Sequence, residues 1–408
     1  MEWLASYAVD WFSVIVRWLH LITGIAWIGA SLHFVFLDNS LEEPTEEDKK
    51  AGVKGQLWAI HGGGIYNFSK YQLAPPSWPK NLHWSKWEAY TTWMTGMLLM
   101  IAVYYFQAQS YLVGPDNWVT DPTMAIVCSL LFVFGGLGIY EVGLRTPLRK
   151  NEGVFAVFMG LVLFFACWLA TQLFSDRAAF LHVGVLMGSI MAGNVFLGII
   201  PSQKRFVAAV EQGLEPSADD AAFAKQRSKF NNYFTLPVLF CMISNHYPFL
   251  YGHPWNWLIL AWIIAMTAWA RHFFNLRHQG IIRVRVLVQV FVAFLILAIW
   301  LGYGQYEAHL KQQILVEQQA LSAQQTSETE VLAVVIKHCT NCHALAPTQA
   351  GFAAAPAGII LESLEQVQQH GVQVKTAVSS GYMPLANMTG MTEEEKGLLL
   401  AWLAPRSR

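Results

Sequence analysis

The stretch WFSVIVRWLHLITGIAWIGASLHFVF, residues 11–36, decides the class of fold to which the chain belongs. Apart from Arg17 and two histidines, its side chains are apolar, small or hydroxylated. A helix of about 20 such residues spans the ~30 Å hydrocarbon layer of a bilayer. A surface helix of a soluble protein would instead carry a polar face along its whole length. The stretch therefore predicts a transmembrane helix near the start of the chain.

The composition extends this interpretation to most of the chain. Of its 408 residues, 54% are hydrophobic and only 13% are charged, which is far from the averages of soluble proteins. The predicted fold is all-α, a polytopic bundle of about eight transmembrane helices surrounded by membrane lipid. The apolar stretches long enough to cross a bilayer are residues 11–36, 89–108, 124–144, 153–174, 179–200, 233–251, 255–275 and 284–303.

Lysine and arginine are distributed unevenly between the loops. The loops at 37–88, 145–152, 201–232 and 276–283 hold sixteen of them, whereas the alternate loops hold only Arg177. Because cytoplasmic loops carry the excess of positive charge, an even number of spans places both chain ends outside the cytoplasm. The net charge of -1 and the lack of any long block of one sign argue against a nucleic acid as partner.

A second kind of signal lies near the C-terminus, in the segment IKHCTNCHALAP at residues 336–347. Cys339, Cys342 and His343 form Cys-x-x-Cys-His, the attachment motif of a c-type haem, in which both thiols bond to the porphyrin and the histidine ligates the iron. The alternatives are a thioredoxin-like redox pair and half of a zinc site. Neither a βαβ pattern nor a second Cys-x-x-Cys accompanies the motif, so the sequence favours haem c.

The second axial ligand of such a haem is expected downstream, in SSGYMPLANMTGMTEEEKGLLLAWLAP. Met383 is the preferred residue, because its Gly-Tyr-Met-Pro context resembles the Met-Pro ligand loop of small class I cytochromes c. The glycine lets the chain approach the ring closely and the proline fixes the backbone. Met388 is the alternative ligand. Thr392 and Glu395 then predict a capping box that opens a last helix.

We expect the chain to have three parts. Residues 1–304 form the membrane domain, and residues 329–408 form a small class I-like cytochrome c domain. Residues 305–328 are rich in Gln and Ala and contain neither Gly nor Pro, which predicts a helical stalk, followed by a short polar hinge near 325–329. The last span would carry the haem domain to the periplasm, the side on which c-type haems are attached. The stalk would then keep the haem close to the membrane surface.

The order of long and short loops repeats after the fourth span. Ser85-Lys86-Trp87 leads into the second predicted span and Ser228-Lys229-Phe230 into the sixth. Leu19-His20 in the first span matches Leu181-His182 in the fifth. This pattern favours a 4+4 repeat, in which two four-helix units of the same topology lie side by side.

Ionisable side chains inside a bilayer are costly, and they mark a functional site by default. With the orientation above, Arg17, His20, His182 and His246 lie toward the periplasm. The simplest interpretation of each histidine is a hydrogen bond to a neighbouring helix. The alternative is that His20 and His182 ligate a haem b between the two repeats, close enough to the periplasm to pass electrons to haem c.

A further set of polar groups lies toward the cytoplasm. Glu141, Arg271, His272 and Asn275 occupy the inner ends of spans. The first cytoplasmic loop adds His61, which precedes three glycines in HGGGIYNFSKYQLAP. These glycines match neither the dinucleotide-binding pattern nor the Walker pattern. The loop is interpreted either as a re-entrant or surface-packed segment that closes the cytoplasmic mouth of the bundle, or as a lid over a substrate.

Four features of the chain together resemble one family. The segments VRWLHLITGIAWIGASLHFVFLDN, HGGGIYNFSKYQLAP and LHWSKWEAYTTWMTG, with a terminal Cys-x-x-Cys-His domain, resemble the membrane-bound, cytochrome c-linked bacterial urate oxidases, also called urate hydroxylases. The resemblance covers essentially the whole chain, and the loop at 61–93 is its most specific part. It implies conversion of urate to 5-hydroxyisourate in purine breakdown, with electrons leaving through the haem. The haem ligands of the family map onto Cys339, Cys342, His343 and Met383.

The resemblance transfers no catalytic residue, so the candidates come from chemistry. Oxidising a purine anion requires a cationic or amide-lined pocket, a base for the proton, and a one-electron acceptor that is used twice. Arg271, His272 and Asn275 lie within about one helical turn at the inner end of the seventh span and could supply such groups. His61 in the first cytoplasmic loop is the remaining candidate.

Two other functions are weighed against urate oxidation. A quinol-oxidising or purely electron-relaying cytochrome would need a quinone pocket instead. A transporter with a regulatory haem is poorly supported by so few charged residues in the spans. The expected location is the inner membrane of a bacterium, with the N-terminus and the haem domain in the periplasm. The expected electron acceptor is a soluble cytochrome c or a terminal oxidase, and the sequence leaves the oligomeric state open.

Overall fold

Long apolar helices build most of the protein. The computed structural model describes residues 2–322 and 328–404. The helices of the first part, in chain order, are α1 (Glu2–Asn39), α2 (Glu46–Lys50), α3 (Trp87–Leu99), α4 (Ala108–Tyr111), α5 (Pro122–Arg145), α6 (Glu152–Leu173), α7 (Asp176–Gly193), α8 (Ile200–Glu211), α9 (Ala218–Ile243), α10 (Pro248–Tyr251), α11 (Asn256–His278) and α12 (Val284–Ser322). Two π-helical segments, Met100–Tyr105 and Asn194–Ile199, continue α3 and α7, and the 3₁₀ helices of this part are Pro147–Lys150 and Ser244–His246.

Six helical segments of the described residues are long and apolar enough to cross a membrane: Tyr7–Asn39, Pro122–Arg145, Glu152–Leu173, Asp176–Glu211, Asn256–His278 and Val284–Leu315. They coincide with the first, third, fourth, fifth, seventh and eighth predicted spans. The second predicted span corresponds to α3 and its π-helical continuation. The sixth begins in the second half of α9, which contains Pro237, whereas the first half of α9 is polar. The predicted all-α membrane bundle is therefore confirmed as a class. The number of eight spans and the 4+4 repeat stay predictions.

Local capping fixes where the central helices begin. The Asp121 side chain accepts a 2.7 Å hydrogen bond from the Met124 amide, and Pro122 occupies the first position of α5. The Asn151 side chain caps α6 in the same way, by accepting bonds from the Gly153 and Val154 amides. Such caps satisfy amide groups that have no partner inside the helix. They set the start of two consecutive spans.

Helix α7 is the centre of the bundle. Two thirds of its most apolar window (67%) is buried inside the protein, against 28% for α5 and 33% for α6. It approaches α9 closely, since a Cβ atom added to Gly184 would lie 2.5 Å from the Cβ atom of Cys241. Small residues permit this kind of backbone approach between membrane helices. Side chains on α7 are therefore held more firmly than those on α1, whose apolar window faces outward.

The segment between α2 and α3 contains a β-hairpin, which neither sequence interpretation predicted. Strand β1 (Val53–His61) pairs with the antiparallel strand β2 (Gly64–Tyr71), and His61 lies opposite Gly64 at the last pair. Gly62 and Gly63 form the turn with φ values of +56° and +80°. A two-residue turn with both φ values positive is the preferred hairpin connection. The glycines that follow His61 are thus explained by chain reversal.

The C-terminal part is a small helical module with a hydrophobic core of its own. Its helices are α13 (Glu328–His338), α14 (Leu364–Gln369), α15 (Gly371–Ser379) and α16 (Glu393–Trp402), with 3₁₀ turns at Pro356–Gly358 and Leu385–Asn387. Val331, Val335, Val367 and Leu399 are fully buried in this core. The predicted capping box is confirmed, because the Thr392 side chain and the Glu395 side chain bond reciprocally to each other's backbone amides.

The predicted stalk at 305–328 is helical up to residue 322, where it forms the end of α12 and continues the last span without a break. The predicted hinge near 325–329 falls mostly on residues outside the described ranges. The described part of the hinge, residues 328–329, is helical instead, because α13 already begins at Glu328. Helix α16 of the module packs against α12, so the module contacts the helix that carries it.

Candidate functional sites

The Cys-x-x-Cys-His segment forms a tight turn at the end of α13. The His343 amide donates to the Cys339 carbonyl at 2.8 Å, and the Cys342 amide donates to the same carbonyl at 3.2 Å. Both bonds close the turn on one oxygen, so the two thiols and the imidazole project from a single short piece of backbone. Covalent attachment of a porphyrin needs this proximity, since both thiols must reach one ring.

The imidazole of His343 is held in one orientation by the chain. Its Nδ1 donates to the Ile359 carbonyl at 2.9 Å, and the His343 carbonyl accepts from the Leu361 amide at 2.7 Å. With the proton on Nδ1, the lone pair of Nε2 is available to a metal ion, and such a backbone partner is typical of ligating histidines. The geometry of this residue fits the role of a proximal haem ligand.

A cavity of about 310 Å³ lies beside the motif. Cys339, Cys342 and His343 line one part of it, and Met383 and Met388 line another. Most of the remaining lining is apolar. Two thiols, an oriented imidazole and thioether sulfurs around an apolar cavity are the donor set of a covalently attached haem c. The residues therefore fit this group, although the choice between the two methionines stays a prediction.

Partial burial shifts the pKa of both thiols of the motif upward. Burial raises the pKa of Cys339 to about 11, with the neighbouring Cys342 as a smaller cause, and burial also raises the pKa of Cys342. A thioredoxin-like pair works through a thiolate whose pKa is lowered. The environment of these thiols therefore disfavours the redox-pair interpretation.

Glu395 connects the first and last helices of the module. Its carboxylate accepts a 2.7 Å bond from Lys337 and lies 3.1 Å from Nε2 of the buried His338. The Lys337 hydrogen bond, followed by the bond to the Thr392 amide, lowers the pKa of Glu395 to about 2. Helix α13, which carries the motif, is thereby fixed against α16.

In the C-terminal half of α11, Arg271 is buried with an incomplete set of partners. Its Nε donates to the Asn232 Oδ1 at 2.8 Å, and only 5% of the residue is exposed. Within the described parts of the chain, neither Arg271 Nη2 nor Asn275 Oδ1 has a hydrogen-bond partner, although both atoms are buried. Unpartnered buried polar atoms are costly and rare. These two atoms, four residues apart on one helix, mark a place where a polar ligand would be stabilised.

The other two catalytic candidates have different surroundings. His272 stacks on Trp269 with ring centroids 4.9 Å apart, and its Nδ1 bonds to the Tyr233 hydroxyl at 2.8 Å. Arg271 and His272 thus contact α9 through neighbouring residues, Asn232 and Tyr233. His61, by contrast, is exposed beside the hairpin turn, whereas Arg271 is buried on α11.

A buried ion pair, which the sequence reasoning did not find, lies next to this cluster. Arg227 binds both carboxylate oxygens of Glu141, at 2.6 and 2.8 Å, with side-chain exposures of 2% and 11%. Arg227 also donates to Asn194 Oδ1 at 3.1 Å. The Tyr140 hydroxyl donates to the same oxygen at 2.9 Å, and the Asn194 amide donates to Asn231 at 2.8 Å. Asn231 in turn donates to the Met191 carbonyl at 3.0 Å, and it precedes Asn232, the residue that binds Arg271.

By sequence, Arg227 belongs to the positive charges of a predicted cytoplasmic loop, residues 201–232. In the structure it lies inside α9 and faces the bundle. A Cβ atom on Gly198 would lie 2.2 Å from Arg227 Cδ, so glycine makes room for the guanidinium. The signal that could have identified the pair is Glu141 itself, because a carboxylate in an apolar span requires a buried cation.

His20 and His182 are both bonded within the protein. His182 is fully buried, and its Nδ1 donates to the Ala178 carbonyl while its Nε2 lies 2.7 Å from Ser129 Oγ. The Nδ1 of His20 donates to the Thr92 carbonyl at 2.9 Å. These bonds agree with the simplest interpretation of an intramembrane histidine. Haem b ligation stays a prediction, and it would require His182 to exchange its Ser129 contact for the iron.

Comparison with known proteins gave one match. A family model described as "Urate oxidase N-terminal" matches residues 6–302. The matched segment runs from α1 into α12 and ends before the predicted stalk and the Cys-x-x-Cys-His module. No curated protein and no solved structure matches the chain.

Proposed function

Because the chain belongs to the urate oxidase N-terminal family, we propose that it is a membrane-bound urate oxidase whose electrons leave through a covalently attached haem c. The proposed reaction joins urate and water to give 5-hydroxyisourate, two protons and two electrons. An oxygen atom of water becomes the new hydroxyl group, and the electrons leave one at a time. Haem c in the C-terminal module supplies the one-electron carrier.

The observation that carries the proposed substrate site is the pair of unpartnered polar atoms on α11. Urate is a planar anion with carbonyl oxygens that accept hydrogen bonds and N–H groups that donate them. Arg271 Nη2 can donate to such an oxygen, and Asn275 Oδ1 can accept from such an N–H group. A charged donor and an amide acceptor one turn apart on a rigid helix match the edge of a purine.

The proposed reaction also requires a group that takes up protons. His272 is the candidate, because its Nδ1 is occupied by the Tyr233 hydroxyl and its stacking on Trp269 fixes the ring. The second nitrogen, Nε2, is then the one available for proton transfer. His61 lies on an exposed hairpin and is a weaker candidate for this role.

The proposed site and the haem module lie near opposite ends of the bundle. Arg271 is roughly 20 Å along the axis of α11 from Asn256 at its other end. A relay inside the bundle is therefore part of the proposal, and the predicted haem b at His20 and His182 is the candidate for it. The carrier beyond haem c would be a soluble cytochrome c or a terminal oxidase, reached from the periplasmic face of a bacterial inner membrane.

The test uses the absorption of haem c as the reporter. Urate added anaerobically to the purified full-length protein should reduce the haem. An Arg271→Gln change should leave the haem spectrum intact and weaken the response to urate about 10- to 100-fold, as expected for the loss of a hydrogen bond to a charged group. Arg205→Gln is the matched control, because Arg205 is largely exposed and pairs with Asp220. Equal responses of the two variants would exclude Arg271 from the site, and no reduction of the wild type would exclude urate.

One observation favours the alternative of a quinol-oxidising cytochrome. An apolar groove of about 470 Å³ lies between α6, α9 and α11, lined by small residues such as Gly160 and Ala265 and bounded by Tyr233. A groove of this kind suits an isoprenoid chain, with the Tyr233 hydroxyl as a partner for a quinone oxygen. Under this alternative, a short-chain quinol would reduce the haem under conditions in which urate does not.

A further inference from the structure

The haem cavity of the module is closed in part by residues of the membrane bundle. Tyr111, the last residue of α4, and Arg177, the second residue of α7, line the same cavity as the Cys-x-x-Cys-His segment. Both lie at ends of helices that the charge distribution assigns to the outer side. The cavity is therefore a shared one, built from the module and from the end of the bundle that faces it.

Two further contacts hold the module on the bundle at this place. The hydroxyl of the buried Ser110 donates to the Ala350 carbonyl at 2.9 Å. Gly351 adopts a φ of +96°, and a Cβ atom there would lie 3.5 Å from Gln107 and 3.6 Å from Ser110. The backbone at 350–351 thus rests directly on α4, and the loop that ends at Tyr111 is fixed relative to the cavity.

Arg177 lines this cavity with a guanidinium that has only some of its hydrogen bonds, one of them to the buried Tyr104 hydroxyl. Its guanidinium carbon lies 5.5 Å from the centre of the Tyr111 ring. Its Nε is buried and has no hydrogen-bond partner among the described residues. A buried donor on a cation is costly unless an acceptor satisfies it. A hydrogen-bond acceptor placed in the cavity beside Arg177 would therefore be stabilised, most of all one that carries a negative charge.

We propose that Arg177 is a positioning residue that binds a propionate carboxylate of the haem held by Cys339, Cys342 and His343. A haem carries two propionates at one edge of the porphyrin, and arginine binds a carboxylate through paired N–H donors. This contact joins the module to the bundle through the haem itself. It rests on the haem c of the proposed function and is independent of urate as the substrate.

The expected consequence is a change in the reduction potential. A cation beside the propionate favours the reduced haem, which carries one positive charge less, and Tyr111 and Arg177 together keep water from that edge. Charge, hydrogen bonding and solvent exposure are the factors that set haem potentials. Removing the cation should therefore lower the potential. It should also let the propionate titrate within the working pH range, so that the potential becomes dependent on pH.

The experiment is a potentiometric titration of haem c in the purified full-length protein, with chemical mediators and without urate. Arg177→Gln should lower the midpoint potential by about 59 mV, which corresponds to a tenfold change in the equilibrium constant for one-electron reduction. It should also steepen the pH dependence, while the thioether linkages persist. Arg177→Lys should retain most of the wild-type midpoint. Arg149→Gln, which removes a charge that pairs with Asp219 on the opposite face, should leave the midpoint unchanged.

An Arg177→His variant provides a second route if the glutamine variant does not accumulate. The new imidazole becomes positively charged as the pH falls through the usual pKa range of histidine. The midpoint potential of the haem should therefore rise more at low pH than it does in the wild type. Midpoints that match the wild type at every pH, with haem attached, would overturn the proposal and assign Arg177 to another anion such as a lipid phosphate. The absence of covalently bound haem from the purified protein would instead contradict the haem part of the proposed function.

Discussion

The buried pair of Glu141 and Arg227 allows a quantitative prediction about the stability of the bundle. Removal of either partner leaves the other charge inside the protein without compensation, which typically costs about 3–5 kcal/mol. The pair is bidentate and nearly inaccessible, with side-chain exposures of 2% and 11%, so we expect values in this range for Glu141→Leu and for Arg227→Met. Such a cost corresponds to roughly two to more than three orders of magnitude in the unfolding equilibrium.

The double variant should behave differently. With both charges gone, the desolvation cost is removed together with the attraction, so an apolar pair of similar volume is often neutral. We expect the double variant to lose much less stability than the sum of the two single variants, although Asn194 also loses a donor. The interaction in this double-mutant cycle should therefore be large.

The assay is unfolding of the purified protein by sodium dodecyl sulfate in mixed micelles, followed by tryptophan fluorescence. The control pair is Lys229 and Glu152, whose side chains are 51% and 57% exposed, so Glu152→Gln should cost no more than about 1 kcal/mol. Single variants of Glu141 and Arg227 that unfold like the Glu152 control would refute the reasoning. That result would mean that the pair is hydrated in the membrane.

Three further predictions concern the module and its placement. Replacing Met383 with Ala should abolish the weak near-infrared band of methionine ligation and lower the haem potential, and the opposite pattern for Met388→Ala would transfer the ligand role. A reporter that is active only in the periplasm should be active when fused after residue 408 and silent when inserted near residue 215, and the reverse pattern would overturn the orientation. The bond from Lys337 lowers the pKa of Glu395 to about 2. The ionised Glu395 therefore stabilises the folded module fully above about pH 4.3, and this stabilisation is lost as the pH falls toward 2. Circular dichroism should show that the Glu395→Gln variant loses less helix in that interval than the wild type does.

Much of the fold follows from local features of the sequence. An apolar run of 20 residues has few alternatives to a membrane helix, since every backbone group must be bonded within the span. The capping box at Thr392 and the turn of the haem motif are likewise short-range patterns. The predicted span at 233–251 is the hardest to define because its polarity is mixed. It begins in a helix that starts with the charged segment containing Arg227.

The parts that the sequence could not supply depend on contacts between distant residues. Arg227 looked like a loop charge because nothing near it in the sequence indicates that it faces Glu141, 86 residues away. The sequence did not predict the hairpin at 53–71, because the glycines after His61 suit a re-entrant or surface-packed segment and a substrate lid equally well. The role of Arg177 is a similar case. In the sequence, Arg177 stands out only as the single positive charge in the loops assigned to the outer side. Its contact with the cavity beside the Cys-x-x-Cys-His motif depends on how the module packs on the bundle.

The docking of the module through Ser110 and Ala350 has a consequence for the kinetics of turnover. When an electron donor and its acceptor belong to one chain and share a surface, the transfer between them is a first-order event. Its rate then does not change when the protein is diluted or when the membrane is crowded with other carriers. Only the later transfer, from the exposed side of the module to a separate acceptor, depends on collision and on ionic strength. Under the proposed function, the amount of the separate acceptor would therefore affect this later transfer and not the transfer within the chain.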